Sequence, residues 1–170
     1  VTATATCSIP LAKKTFLRDA PEWFRQSITG WDIGFLGVWE SGVPFTVVSG
    51  RQTLAAGVNS WANYSGNRNI GSVIRSEYGV YWFFLEQIQN LFSFPSAGEV
   101  GTSGRNSFRG PHYFDLDLSI VKRIPVKKTG QVVFRTEVYN LLNKTNFASP
   151  TADLSSPSTF GRISSTAGRA

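Results

Sequence analysis

The sequence has few of the residues that build disulfide frameworks, metal centres and charged surfaces. It holds one Cys, one His and no Met among its 170 residues. A single Cys excludes an internal disulfide framework and a Cys-rich zinc site, and a lone His argues against most His-based metal sites. Charged residues make up only 16% of the chain, against a usual value of about 25%. We therefore expect neither a metal nor a cofactor.

No stretch approaches the roughly 20 apolar residues that a membrane-spanning helix requires. The net charge of +6 is compatible with binding to nucleic acid, lipopolysaccharide or an acidic glycan and does not favour any one of these partners. We expect no nucleic-acid partner. The chain begins with Val1 and lacks an initiator Met, so we expect it to be part of a longer protein.

Alternation with a period of two is the strongest pattern in the sequence, and it predicts β-strands. Along 114–121 the apolar residues share one face, and Asp115, Asp117 and Ser119 share the other. After a turn-rich segment at 125–130, the alternation resumes along 131–140, with Arg135 and Glu137 on the polar side. Together the two segments predict a β-hairpin with a short turn. The apolar positions of the hairpin include Phe114, Leu116, Leu118, Ile120, Phe134 and Val138.

Residues 30–42 predict a further strand, which carries Trp31 and Trp39 on one face. At about 3.3 Å per residue and a tilt near 45°, the two rings would lie roughly 19 Å apart along a membrane normal. That separation is close to the spacing of the aromatic girdles of a membrane barrel. We expect this strand to continue through 43–48. Alternation at 1–7 and at 160–166 predicts the end of one strand and the start of another.

The connections between the predicted strands are of two kinds. Residues 10–29 predict a short helix with Asp19 as its N-cap and with Trp23, Phe24 and Ile28 on one face. Residues 51–111 form a long loop rich in Gly, Asn, Ser and aromatic residues. A loop of this length is usually functional or disordered. Helical spacing within 84–92 predicts that this loop carries a short helix.

Two fold classes explain the alternating strands. In a soluble β-sandwich the apolar faces turn inward and the polar faces meet water. In an outer-membrane barrel the apolar faces meet lipid and the polar faces meet the lumen. The low charge, the Trp spacing and the alternation of long loops with short turns favour the barrel. These features do not exclude the alternative, which is a soluble β-sandwich that acts as an extracellular carbohydrate-binding module.

Several motifs occur in the order in which they occur in a known family. They are IPL at 9–11, ESGVPFTV at 40–47, YWF at 81–83, GRNSFRGP at 104–111, DLDLSIVK at 115–122, FRTEVYNLLNKTNF at 134–147 and TFGRI at 159–163. The ordered set resembles TonB-dependent outer-membrane receptors of the Oar-like type, which carry a carboxypeptidase-regulatory-like domain, a plug and a barrel. Two positions depart from the family pattern: Tyr139 stands where Phe is usual, and Phe84 where the loop motif has Asn.

The resemblance implies that residues 1–170 are a partial, C-terminal segment of such a barrel, with four or five antiparallel strands. It places the turn at 126–130 in the periplasm and 51–111 outside the cell. It also implies energised movement of a ligand too large for porins, with the TonB complex acting through N-terminal parts of the receptor. The expected surroundings are lipid and lipopolysaccharide of the bacterial outer membrane. A third alternative is a structural barrel without transport.

The sequence offers no convincing catalytic group. Asp115 and Asp117 share a strand face, which is typical of lumen-facing polar residues rather than of a catalytic pair. His112 follows Pro111, and no nucleophile-elbow motif accompanies it. We therefore expect no enzymatic activity.

Binding, rather than catalysis, is the functional role that the long loop suggests, since aromatic rings and guanidinium groups suit an oligosaccharide or a peptide. The residues themselves favour a structural role for these rings, within the loop or at the outer membrane interface. The candidate ligand-binding residues are Trp61, Tyr64, Arg68, Tyr78, Tyr81 and Trp82. We expect Arg105, Asn106 and Arg109 to anchor the loop by hydrogen bonds to backbone carbonyls. Arg135 and Glu137 are expected to pair with Asp115 or Asp117 across the hairpin.

Overall fold

A computed structural model describes residues 2–11, 21–84, 90–126 and 130–168. The chain divides into two units, each described by itself below. The sheet unit comprises Val1–Glu40 and Phe114–Lys144, and the loop unit comprises Ser41–Tyr113 and Thr145–Ala170. In chain order the elements are β1 (Thr2–Leu11), α1 (Glu22–Ile28), β2 (Trp31–Glu40), β3 (Pro44–Phe45), β4 (Asn63–Tyr64), β5 (Ile74–Ser76), β6 (Gly79–Tyr81), β7 (Phe92–Ser93), β8 (Phe108–Arg109), β9 (Tyr113–Val126), β10 (Gly130–Val138) and β11 (Arg162–Ile163).

The sheet unit is built on four long strands in the order β1-β2-β9-β10. The strands are antiparallel, so the predicted all-β, antiparallel fold is confirmed. Residues 127–129 of the predicted hairpin turn lie outside the described residues, and Gly130 pairs with Val126 on either side of them. The strands leave the sheet open, with β1 and β10 at its edges.

The register aligns the two-residue periods of neighbouring strands. Phe134 of β10 lies opposite Lys122 of β9, and Arg135 lies opposite Val121. Between β2 and β9, the Arg123 amide donates a hydrogen bond of 2.8 Å to the Gly30 carbonyl. Because side chains alternate along every strand, this register gives the sheet one continuous apolar face and one polar face.

The predicted helix before β2 is present as α1. Trp23 and Phe24 pack edge to face with their ring centroids 5.7 Å apart. The predicted N-cap, Asp19, lies outside the described residues. No helix of the described ranges is long and apolar enough to cross a membrane.

The prediction that the strand after Gly30 continues to residue 48 is wrong. β2 ends at Glu40, and Pro44–Phe45 forms the separate strand β3, which pairs with β8. Gly42 explains the break, because its Cα lies so close to the Gly110 carbonyl that any side chain would collide with it. The chain therefore leaves one ladder at 41–43 and enters another.

The loop unit has a hydrophobic core of its own, although its strands are only two or three residues long. Ring centroids of Phe92 lie 5.6 Å from Phe108 and 5.7 Å from Phe160. None of the residues in this core comes from the four-stranded sheet. The core consists of Phe45, Val47, Ala62, Phe83, Phe92, Phe108, Leu154 and Phe160.

Two further predictions concern segments of the loop unit. The predicted helix at 84–92 falls largely on residues 85–89, which lie outside the described residues, and Phe92 begins strand β7. The strand predicted at 160–166 is present only as the two residues of β11, which pair with β6.

Candidate functional site

The apolar face of the sheet unit is one of the surfaces that the sequence predicts to be functional. Phe134 is 59% exposed, and Val138 is exposed beside it. The other predicted lipid-facing side chains are half-buried among their neighbours: Phe114, Leu116, Leu118 and Ile120. The buried core of the loop unit contains none of them.

The opposite face of the same sheet carries most of the charged side chains. Arg123 forms an ion pair with Asp32, and Arg135 lies 3.8 Å from Glu137 of its own strand. Asp117 accepts a hydrogen bond of 3.0 Å from the Asn140 amide. The register places Arg135 opposite Val121 and Glu137 opposite Ser119, so neither faces an Asp directly, as the predicted pairing across the hairpin would require.

The loop unit contains an open cavity lined by aromatic rings, which we call the aromatic cleft. Its volume is about 500 Å³, and its walls are Ser76, Tyr78, Tyr81, Phe84, Pro157, Ser158 and Phe160. The rings of Tyr81 and Phe84 lie 4.9 Å apart, and Tyr78 is 75% exposed. The cleft thus combines ring faces with two serine hydroxyls.

A tight hairpin positions Tyr78 at the cleft. Strands β5 and β6 pair with Ser76 opposite Gly79. The Tyr78 amide donates to the Ser76 hydroxyl at 3.2 Å, and that hydroxyl donates to the Gly79 carbonyl at 3.3 Å. Gly79 has φ 134, a conformation that glycine adopts without strain. The hydrogen bonds within this turn therefore fix the backbone from which the Tyr78 side chain extends.

Tyr64, another predicted ligand-binding residue, packs in the core of the loop unit. Its ring lies 4.6 Å from Phe92 and 5.1 Å from Phe108, and its hydroxyl donates to the Asn67 carbonyl at 2.6 Å. Burial raises the pKa of the Tyr64 phenol above its ordinary value, and the positive charge of Arg68 partly offsets that rise. Tyr64 also lines a second cavity of about 490 Å³, which is separate from the aromatic cleft.

The two predicted tryptophans are tied to the framework of the loop unit. Trp61 forms a bridge with Val48, and its amide donates to the Val100 carbonyl at 2.8 Å. The Trp82 amide donates to the Gly161 carbonyl at 2.7 Å. The Trp82 indole Nε1 is buried and has no hydrogen-bond partner among the described residues. Neither ring lines the aromatic cleft.

The segment predicted to anchor the loop is bonded to residues 42–46 of the same unit. Arg109 Nη1 donates to the Gly42 carbonyl at 3.3 Å. The Asn106 amide donates to the Thr46 hydroxyl at 2.8 Å, and Asn106 adopts φ 54, which Asn tolerates better than most residues. Arg105 is exposed.

The two faces of the sheet unit match the strand pattern of outer-membrane barrels, in which apolar and polar residues alternate between lipid and lumen. The family model described as an outer membrane beta barrel domain matches residues 1–170. The chain belongs to this family. Membership of this family makes it an outer-membrane protein, located in the bacterial outer membrane. Searches of curated proteins and of solved structures give no significant match.

Membership of the barrel family assigns the four long strands to a membrane barrel rather than to a soluble sandwich. Sequence reasoning identified only Tyr78 and Tyr81 among the cleft residues, and it missed Ser76, Phe84, Pro157, Ser158 and Phe160. Ser158 is brought to the cleft by the β6–β11 pairing, which joins segments some 80 positions apart. Because this contact joins distant parts of the sequence, local sequence patterns could not identify Ser158 as a cleft residue.

Proposed function

We propose that this barrel domain is part of a TonB-dependent receptor of the Oar-like type, which binds and moves a ligand too large for porins. The ordered motifs that resemble this family support the assignment. The observation that carries the proposal is the loop unit, which has its own aromatic core and an open aromatic cleft.

The position of the loop unit in the chain supports an extracellular role. The chain enters the unit after β2 and returns at β9, whereas β9 and β10 are joined by a short turn. In outer-membrane barrels the short turns are periplasmic and the long loops are extracellular. The aromatic cleft would then belong to an extracellular segment of the chain.

The chemistry of the cleft suits an oligosaccharide or a peptide. Tyr78, Tyr81 and Phe84 offer ring faces for stacking, and the Tyr hydroxyls offer hydrogen bonds. The Ser76 and Ser158 hydroxyls add polar groups that can fix orientation. Binding of this kind requires no catalytic step, and we propose that the domain is not an enzyme.

The partners follow from the same proposal. Energy would come from the TonB complex acting through a plug, which the resemblance places before the barrel in the chain. Lipid and lipopolysaccharide would surround the strands. A transporter barrel holds roughly 22 strands, and the four long strands would form one sector of it.

Uptake by cells that produce the full-length receptor tests the proposal. Fluorescent oligosaccharides and peptides are supplied to cells with and without a functional TonB complex. We expect uptake of at least one of these probes to require TonB and to fall at least tenfold in Tyr78→Ala, a loss of about 1.4 kcal/mol of binding. The control is Tyr139→Ala, which removes a tyrosine that is 68% exposed on the sheet unit. Uptake that is independent of TonB would contradict the proposal.

A further inference from the structure

Helix α1 is joined to the apolar face of the sheet unit through its C-terminal carbonyls. The Trp31 indole Nε1 donates to the Ser27 carbonyl at 2.8 Å. Lys122 Nζ donates to the carbonyls of Ser27 and Thr29 at 3.0 and 2.5 Å. The last carbonyls of a helix have no intrahelical partner and carry partial negative charge, so an indole N–H and an ammonium group satisfy them.

Both donors belong to the face that meets lipid. Lys122 lies opposite Phe134, and its ammonium lies 4.9 Å from the ring centroid of Trp31. Trp31 in turn shares its strand face with Trp39, by the two-residue period of β2. The C-terminal end of α1 therefore lies on the lipid side of the sheet rather than on its lumen side.

Three apolar side chains of α1 are exposed. Trp23 is 71% exposed, and Phe24 and Ile28 are exposed as well. At 100° per residue they lie, with Ser27, within about 140° of the helix circumference. A helix that lies at a lipid interface presents Trp, Phe and aliphatic residues on one side.

The end of the barrel at which α1 lies follows from the strands. α1 precedes β2, and Gly30, just before β2, is bonded to Arg123, near the end of β9 from which the chain passes to β10 through the three residues 127–129. The long loop unit is inserted after the other end of β2. Since short turns are periplasmic, α1 belongs to the periplasmic end of the strands.

We propose that α1 is an interfacial anchor that inserts Trp23, Phe24 and Ile28 into the phospholipid headgroup region of the periplasmic leaflet. Helices of this kind bury their apolar face about 5–10 Å into the boundary between headgroups and acyl chains. The lipid face of the strands continues directly into α1 through Trp31 and Lys122, and this continuity identifies lipid as the occupant. The inference rests on the barrel and not on transport, so a failure of TonB-dependent uptake would leave it standing.

Collision measurements on spin labels in phospholipid vesicles test the anchor. The full-length protein, with Cys7→Ser and any other native cysteine replaced, receives one new cysteine for labelling: Trp23→Cys, Phe134→Cys or Tyr78→Cys. Oxygen partitions into lipid, and a water-soluble nickel chelate does not. Heat-modifiable migration on a gel verifies that each labelled protein is assembled, and Ile28→Cys replaces Trp23→Cys if that label blocks assembly.

We expect the ratio of oxygen to nickel collisions at position 23 to exceed the ratio at position 78 several-fold and to lie below that at position 134. A ratio at position 23 equal to that at position 78 would place the helix in water and overturn the proposal. Low collision rates with both reagents would show that protein covers the helix, and this outcome would overturn the proposal too. A water-like ratio at position 134 would remove the lipid face on which the inference is built.

Discussion

The Lys122 ammonium lies over the Trp31 ring and bonds to the end of helix α1, although Lys122 occupies an apolar strand face. Only 7% of Lys122 is exposed. A buried cation is expensive unless hydrogen bonds and opposite partial charge compensate it. Here the carbonyls at the end of α1 and the indole ring provide that compensation, which explains a charge on the apolar side of the sheet.

This arrangement predicts that Lys122→Met loosens α1 while the barrel still assembles. Loss of the bonds from a charged donor costs about 1.5–3 kcal/mol, so amide exchange across Glu22–Ile28 should accelerate roughly tenfold or more. Hydrogen–deuterium exchange with mass spectrometry measures this rate. Lys144→Met is the matched control, because Lys144 also lies over an aromatic ring, 5.3 Å from Phe114, in a different part of the sheet unit. Unchanged exchange in Lys122→Met would show that Lys122 does not hold the helix.

Gly42→Ala should destabilise the loop unit, since the new Cβ would collide with the Gly110 carbonyl and force apart the segments joined by β3 and β8. Overpacking of this kind costs about 1–3 kcal/mol. Limited proteolysis of the assembled protein should show faster cleavage within 41–113. Gly168→Ala is the control, because an added Cβ there meets nothing within 4 Å. Equal cleavage of the two variants would refute the close approach.

Tyr64→Phe should weaken the loop unit by about 0.5–1.5 kcal/mol at neutral pH, because the hydrogen bond to the Asn67 carbonyl is lost. Since burial raises the pKa of Tyr64, the folded state holds the phenolic proton more tightly than the unfolded state does. This proton stabilises the folded state fully at pH values below the pKa of Tyr64 in the unfolded protein. The stabilisation is lost as the pH rises toward the pKa of Tyr64 in the folded protein. The difference between Tyr64→Phe and the wild type should therefore shrink from neutral pH to about pH 11. Denaturant-induced unfolding of the loop unit in the full-length protein measures both values, and a constant difference would contradict a raised pKa.

Local periodicity predicted most elements of the sheet unit, although it extended β2 beyond Glu40, where the strand ends. The alternation of Phe114, Leu116 and Leu118 predicted β9, and the spacing of Trp23, Phe24 and Ile28 predicted α1. Each of these elements is determined mainly by its own residues, because its period is set by its backbone geometry. The hairpin between β9 and β10 followed, since a short turn brings its strands together without other information.

The loop unit could not be predicted in the same way. β3 pairs with β8 some 60 positions later, and two-residue strands have no period to read. The residues that form the core, such as Phe83, Phe108 and Phe160, lie in irregular segments where an aromatic residue is equally compatible with packing and with binding. Tyr64 illustrates the difficulty, because the sequence suggested ligand contact and its ring packs on Phe92 and Phe108.

The assignment of faces in β10 supports the whole account, and Phe134 and Arg135 test it most directly. They are consecutive, so the two-residue period forces their side chains to opposite sides. In the full-length protein, Phe134→Arg should cost about 2–4 kcal/mol near the membrane midplane and impair assembly. Arg135→Phe places an aromatic ring on the lumen side, where it does not contact lipid, and should leave the barrel assembled. Heat-modifiable migration on a gel measures assembly of both variants. Failure of Phe134→Arg alone is the predicted result, and failure of Arg135→Phe alone would invert the faces and contradict the account.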